Sequence, residues 1–139
     1  MVSRGFPNII SSDLAAVKEW YVDLLGWETE FDSDWFVHLK AADAPGVELG
    51  IIAEGHDIVP AGATAGGMLT FVVDDVDELH AAAVASGHVV VEPPTNLFYG
   101  QRRMVLRDPA GTLVDISSEC EPSQEFLDSL PHLSEHPEA

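Results

Sequence analysis

Two acids stand where this chain reads as β-strand. Asp115 lies in the apolar run Thr112–Ile116, and Glu48 lies in the run from Val47 to Ala53. A carboxylate facing an apolar core must be paired, protonated or put to use. Two such groups on one hollow could hold a ligand's polar group, bind a cation, or act as a general base with a pKa raised by burial. His38, in the run from Trp35 to Lys40, carries an imidazole, a side chain suited to acid–base work or metal ligation. With Glu48 and Asp115 it makes a three-ligand set for a divalent ion that polarises a bound oxygen. Arg103 could instead neutralise either acid as a buried ion pair, or bind an anionic group. Cys120 is the only cysteine, so there is no disulfide framework and no Cys-rich zinc site.

The elements that must carry these residues follow from periodicity. Phe6 to Ser11 reads as a short strand. Ser12 or Asp13 caps a helix whose Leu14, Val17, Tyr21 and Leu24 recur at helical spacing, and Gly26 ends it. Strands follow at Trp27 to Phe31, Trp35 to Lys40 and Val47 to Ala53. After a Gly- and Pro-containing connector the pattern restarts. Met68 to Val73 is a strand, and Asp74 or Asp75 caps a helix that ends at Gly87. His88 to Val91 is a strand, Pro93 to Asn96 opens a loop, and two strands flank the turn Asp108-Pro109-Ala110-Gly111.

The halves are a repeat. Asp13 and Asp75 are 62 residues apart, and Gly26 and Gly87 are 61 apart. Leu39 and Leu106, and Glu48 and Asp115, are each 67 apart. On that offset Glu48 and Asp115 are equivalent and face one another across a pseudo-twofold axis. The reading is one domain over residues 1–120, with modules at about 5–54 and 68–119, a linker at 55–67, and a tail at 121–139 carrying a short helix.

These features resemble the vicinal oxygen chelate superfamily of glyoxalases, extradiol dioxygenases and bleomycin-resistance proteins. The resemblance rests on ISSDLAAVKEWYVDLLGW at 10–27, FVVDDVDELHAAAVASG at 71–87 and RDPAGTLVDI at 107–116. It implies an α+β fold in which two βαβββ modules form a curved mixed sheet around a shared groove. It also implies metal-ligand places at Phe6, Glu48, Met68 and Asp115. Phe is no ligand and a Met thioether is too soft for a hard divalent ion, so the chain looks more like the metal-free bleomycin-resistance branch, with no cofactor. The family's phase for the third strands turns Phe36 and His38, and Arg103 with Val105, into the groove. Strand alternation adds Asn8 and Thr70, and Tyr99 lies on a loop at the rim. Phe6 and Met68 read more readily as ordinary core than as ligand contacts.

A mostly apolar groove with a few placed polar groups suits a small organic ligand, and aromatic walls suit a planar or cationic one. The expected function is metal-independent binding of such a ligand, of the antibiotic-sequestration type, by a homodimer. The alternative is a glyoxalase- or dioxygenase-like enzyme with an atypical metal site at His38, Glu48 and Asp115. A net charge of −18 on 139 residues argues against nucleic acid, whose phosphates it repels. It would draw in cations if focused in a cleft, or simply solvate the surface. No run approaches the ~18 apolar residues of a membrane span. The N-terminus MVSRGFPNII has no signal-peptide layout, so a cytoplasmic location is expected.

Overall fold

Each long helix begins where an aspartate can satisfy its first free amides. The Asp13 side chain accepts from Ala16 N (3.0 Å) to start α1 (Leu14–Leu25), and Gly26, at φ 69°, ends it in the left-handed conformation. Asp75 accepts from the amides of Asp77 and Glu78 to start α2 (Val76–Ala85). Residues 4–60 and 68–130 are described by the computed structural model.

Around α1 lie β1 (Asn8–Ser11), β2 (Glu28–Asp32), β3 (Phe36–Lys40) and β4 (Glu48–Ala53). Around α2 lie β5 (Met68–Val72), β6 (Val89–Asn96), β7 (Gln101–Arg107) and β8 (Leu113–Glu119); a short α3 (Gln124–Asp128) follows. The fold is α+β, with two βαβββ modules. Strands pair as two four-stranded mixed sheets, in the orders β1-β4-β3-β2 and β5-β8-β7-β6. In each, the first strand runs parallel to the fourth and the rest are antiparallel.

Alternation gives each sheet a helix face and an open face. Val17, Trp20, Tyr21 and Leu24 of α1 pack in one core with Val37, Leu39, Leu49 and Ile51. Val76 and Ala83 of α2 share that core with Met104, Leu106, Val114 and Ile116. Each fully buried aliphatic side chain stabilises the fold by about 1.5–3 kcal/mol. The modules are joined through side chains. Trp27 meets Phe71 edge-on (5.4 Å between ring centres), and the buried Tyr21 hydroxyl donates to Asp108 Oδ2 at 2.8 Å.

Two boundary shifts larger than a residue and one equivalence depart from the sequence reading. β1 starts at Asn8, two residues late, because Pro7 has no N–H to give to a ladder. β6 runs through Pro93-Pro94, expected as a loop. It is an edge strand, and its register slips between Glu92 and Thr95, which accommodates the prolines. The third difference concerns the repeat. Gly50 pairs with Asn8 and His38, whereas Asp115 pairs with Thr70 and Val105. Asn8 and Thr70 are equivalent, as are His38 and Val105, so the residue equivalent to Asp115 is Gly50. The cause is turn length: seven residues separate the paired Lys40 and Glu48, and five separate the paired Arg107 and Leu113. Glu48 therefore matches Leu113, not Asp115. The expected linker falls partly, and the tail's end wholly, outside the described residues.

Candidate functional site

The open face of the first sheet gathers its chemistry at one end. Phe6, just before β1, stacks on the His38 ring at 4.9 Å between centres and 24° between planes. His38 Nε2 stands 2.7 Å from Glu48 Oε1. Its proton therefore points at the carboxylate, and the longer 3.3 Å approach of Arg4 Nη2 to the same nitrogen is not a hydrogen bond. Arg4, in the arm leading to β1, donates through Nε to Glu48 Oε1 (3.0 Å) and Oε2 (3.2 Å), and through Nη2 to Oε1. Its guanidinium carbon also lies 5.3 Å from the centre of the Phe6 ring, within reach of a cation–π contact. Hydrogen bonding from Arg4, with His38 helping, holds the Glu48 carboxyl below its ordinary pKa against some desolvation. Phe36 tilts against His38 at 6.2 Å. Asn8 occupies the space a side chain at position 50 would need: a Cβ on Gly50 would sit 2.0 Å from Asn8 Oδ1 and 3.0 Å from Phe36 Cε1.

The second sheet's open face is arranged differently. Asp115, 6% exposed, accepts from Thr70 Oγ1 at 3.2 Å through Oδ2, while its buried Oδ1 has no partner among the described residues. Desolvation pushes its carboxyl above the ordinary value; the Thr70 hydrogen bond and the charge of Arg103 offset this only in part. Arg103 binds neither acid expected for it. Its Nη2 donates to Glu92 Oε1 at 2.9 Å, and its buried Nε has no acceptor among the described residues. Ser117 donates to Gln101 Oε1 at 2.7 Å. Met68 is on this face but 46% exposed, so it is no core residue within the chain. Tyr99, 39% exposed, packs edge-on to Phe98 at the tip between β6 and β7, and Phe98 in turn meets Phe126 of α3.

Five of the ten candidates thus form one cluster (Phe6, Asn8, Phe36, His38, Glu48) and three form another (Thr70, Arg103, Asp115). Met68 lies on the second face outside the polar group, and Tyr99 stands apart at the hairpin tip. Phe36 and His38 on β3, and Arg103 and Val105 on β7, alternate with core residues and so lie on the open faces of their sheets. The bulges fall on β2, between Thr29 and Phe31, and on β6, between Val90 and Glu92 and between Glu92 and Thr95, and leave β3 and β7 regular. The sequence reading did not single out Arg4 or Glu92. One signal for them is scarcity: the chain has six Lys and Arg against 24 Asp and Glu. Five of the six cations make an ion pair, and the sixth, Arg107, donates to the Gly111 carbonyl.

A metal ion of the kind the family resemblance implies does not fit these donors. Phe6 and Met68 offer nothing to a hard divalent ion. Glu48 is engaged by Arg4 and His38, while Asp115 belongs to the other cluster. Among the described residues no three His, Cys, Asp or Glu side chains converge. No helix of the described residues is long and apolar enough to cross a membrane.

Known structures share this architecture. A member of the glyoxalase/bleomycin resistance protein/dioxygenase superfamily from Sphaerobacter thermophilus is 24% identical, with a TM-score of 0.71 over 86% of this chain and 98% of that one. A family enzyme from Burkholderia phytofirmans is 26% identical, with a TM-score of 0.68 over 82% and 96%. A lactoylglutathione lyase from Agrobacterium tumefaciens is 23% identical, with a TM-score of 0.67 over 84% and 94%. No curated protein sequence matches the chain. The family model for the Glyoxalase/Bleomycin resistance protein/Dioxygenase superfamily matches residues 5–116. With two βαβββ modules and that match over most of its length, the chain belongs to this superfamily.

Proposed function

We propose that this protein is a metal-independent binder of a small organic ligand, of the antibiotic-sequestration type, working as a cytoplasmic homodimer. The observation that carries the reading is that Glu48 is neutralised by the chain's own Arg4, stacked over Phe6. A face built from an aromatic ring, an imidazole and a carboxylate, with a guanidinium already seated on it, is suited to planar or cationic groups. Sequestration asks only for affinity and shape. The open faces leave room for a second copy: Met68 and Val72 on edge strand β5 are 46% and 64% exposed.

Calorimetric titration with bleomycin-like glycopeptides and planar aromatic antibiotics tests the binding. Saturable binding that survives exhaustive chelation is expected. No binding across such a panel would remove the antibiotic version, and light scattering reads the dimer directly.

One observation favours a second reading, an enzyme of the glyoxalase type acting without metal. Asp115 is buried, raised in pKa and half unpartnered, as a general base in an apolar site would be. An activity found by substrate screening and unchanged in the Asp115→Asn, Glu48→Gln double variant would end it.

A further inference from the structure

The second sheet's open face holds two complementary loose ends. Among the described residues, Asp115 Oδ1 is a buried acceptor without a donor, and Arg103 Nε is a buried donor without an acceptor. They belong to one face. Asp115 is paired in register with Val105, and Arg103 with Ser117, so the two side chains are diagonal neighbours on adjacent strands. Each is already anchored by its other polar atom, Asp115 Oδ2 to Thr70 and Arg103 Nη2 to Glu92. What remains is one acceptor and one donor, and leaving either unmet underground is costly.

The ligand chemistry follows by elimination. A carboxylate would accept from Arg103 but would bring a negative charge against Asp115 and Glu92. An ammonium or amidinium would donate to Asp115 but leave Arg103 Nε unmet beside another cation. A neutral group with an N–H next to a carbonyl satisfies both. We propose that Asp115 and Arg103 form a subsite for a carboxamide or lactam, whose N–H donates to Asp115 Oδ1 while its carbonyl accepts from Arg103 Nε–H. This rests on the small-molecule-binding reading and specifies the ligand's polar edge.

Both loose ends are shut off from solvent, so a ligand reaches them when a covering side chain moves. Arg103 can supply that movement. Among the described residues its one side-chain hydrogen bond is to Glu92, whose side chain is 55% exposed, and exposed pairs of this kind hold weakly.

The test is a protein-observed NMR titration of the full chain with benzamide, benzoate and benzamidine, which share a ring and differ only in the polar edge. Benzamide should bind at least tenfold more tightly than either, shifting resonances of Thr70, Arg103 and Asp115. Asp115→Leu and Arg103→Met should each weaken benzamide at least tenfold. Both variants replace an unmet buried polar atom with an apolar one, so the folded spectrum should persist. Equal binding of the three probes, or benzamide binding unchanged in both variants, would overturn the subsite. If the antibiotics still bind in that case, the broader reading stands. If neither the antibiotics nor the benzamide series binds, both fail.

Discussion

The two open faces are built on one plan and solve the problem of a strand carboxylate in opposite ways. On the first sheet the acid lies near the turn, at the level of Phe6, and is covered by Arg4 and His38. On the second it lies two residues further along the strand, at the level where the first sheet has Gly50 and the folded-over Asn8. Glu48 is satisfied and held ionised; Asp115 is half satisfied and pushed toward its neutral form. Duplicated strands therefore do not imply duplicated chemistry. A turn longer by two residues moves an acid to a different level of the same face, and the neighbours it meets there decide its state.

The largest expected effect comes from cutting the contact that joins the halves. Tyr21→Phe removes a buried hydrogen bond and leaves Asp108 Oδ2 without its donor, while Oδ1 still accepts from the amides of Ala110 and Thr112. A loss of about 2 kcal/mol is expected in urea unfolding. Burial and the charge of Asp108 push the Tyr21 phenol far above its ordinary value. Its neutral form is bound to the fold, so its stabilising contribution is complete below the unfolded value of about 10 and is lost as the pH rises above it. In alkaline absorbance titration, one of the chain's two tyrosines should ionise only as the chain unfolds.

A smaller effect tests why the first sheet has no acid at Asp115's level. Gly50→Ala forces the Asn8 side chain aside, at about 1 kcal/mol for overpacking. Adding Asn8→Ala should recover most of it, and a double-mutant cycle measures the coupling. Additive losses would mean that Asn8 is not what fills the space.

The two acids should also separate by sign in pH-dependent stability. The depressed carboxyl of Glu48 stabilises the fold above its unfolded pKa, and that gain is lost as pH falls through the lower folded value. Glu48→Gln should therefore destabilise near neutral pH and converge with the parent in acid. The raised carboxyl of Asp115 works in reverse: its contribution is intact below the unfolded value and is lost as pH rises through the higher folded one. Asp115→Leu should gain stability near neutral pH, with the gain shrinking in acid. Matching signs would erase the contrast between the faces.

The smallest effect is expected for Arg4→Ala. Arg4 itself is exposed and His38 remains beside Glu48, so little should be lost, and added salt should narrow the difference further.

Much of this architecture is legible in the residues because local rules govern it. The helix stripes, the aspartate caps at 13 and 75 and the glycines at 26 and 87 act within a turn of where they stand. The face on which Phe36, His38 and Arg103 lie follows from alternation and the family phase, since no bulge interrupts β3 or β7. The equivalence of Glu48 with Asp115 could not be read this way. A constant offset of 67 through both hairpins conceals a change in register, which is set by how the turn closes and not by spacing along the chain. Arg4 was equally hidden. Its partner is 44 residues away, and only the parallel pairing of β1 with β4 brings them together. The prolines of β6 read as a loop because the exemption given to an edge strand depends on knowing which strand is at the edge.

No hydrogen-bond ladder passes from one described sheet to the other. The halves are coupled through side chains alone, by a shared apolar core, edge-on rings and the Tyr21 phenol, and such contacts can yield without disturbing either sheet's backbone. Hydrogen exchange should therefore resolve two protected blocks, the amides of β3–β4 and those of β7–β8, whose opening energies part company once Tyr21 is replaced.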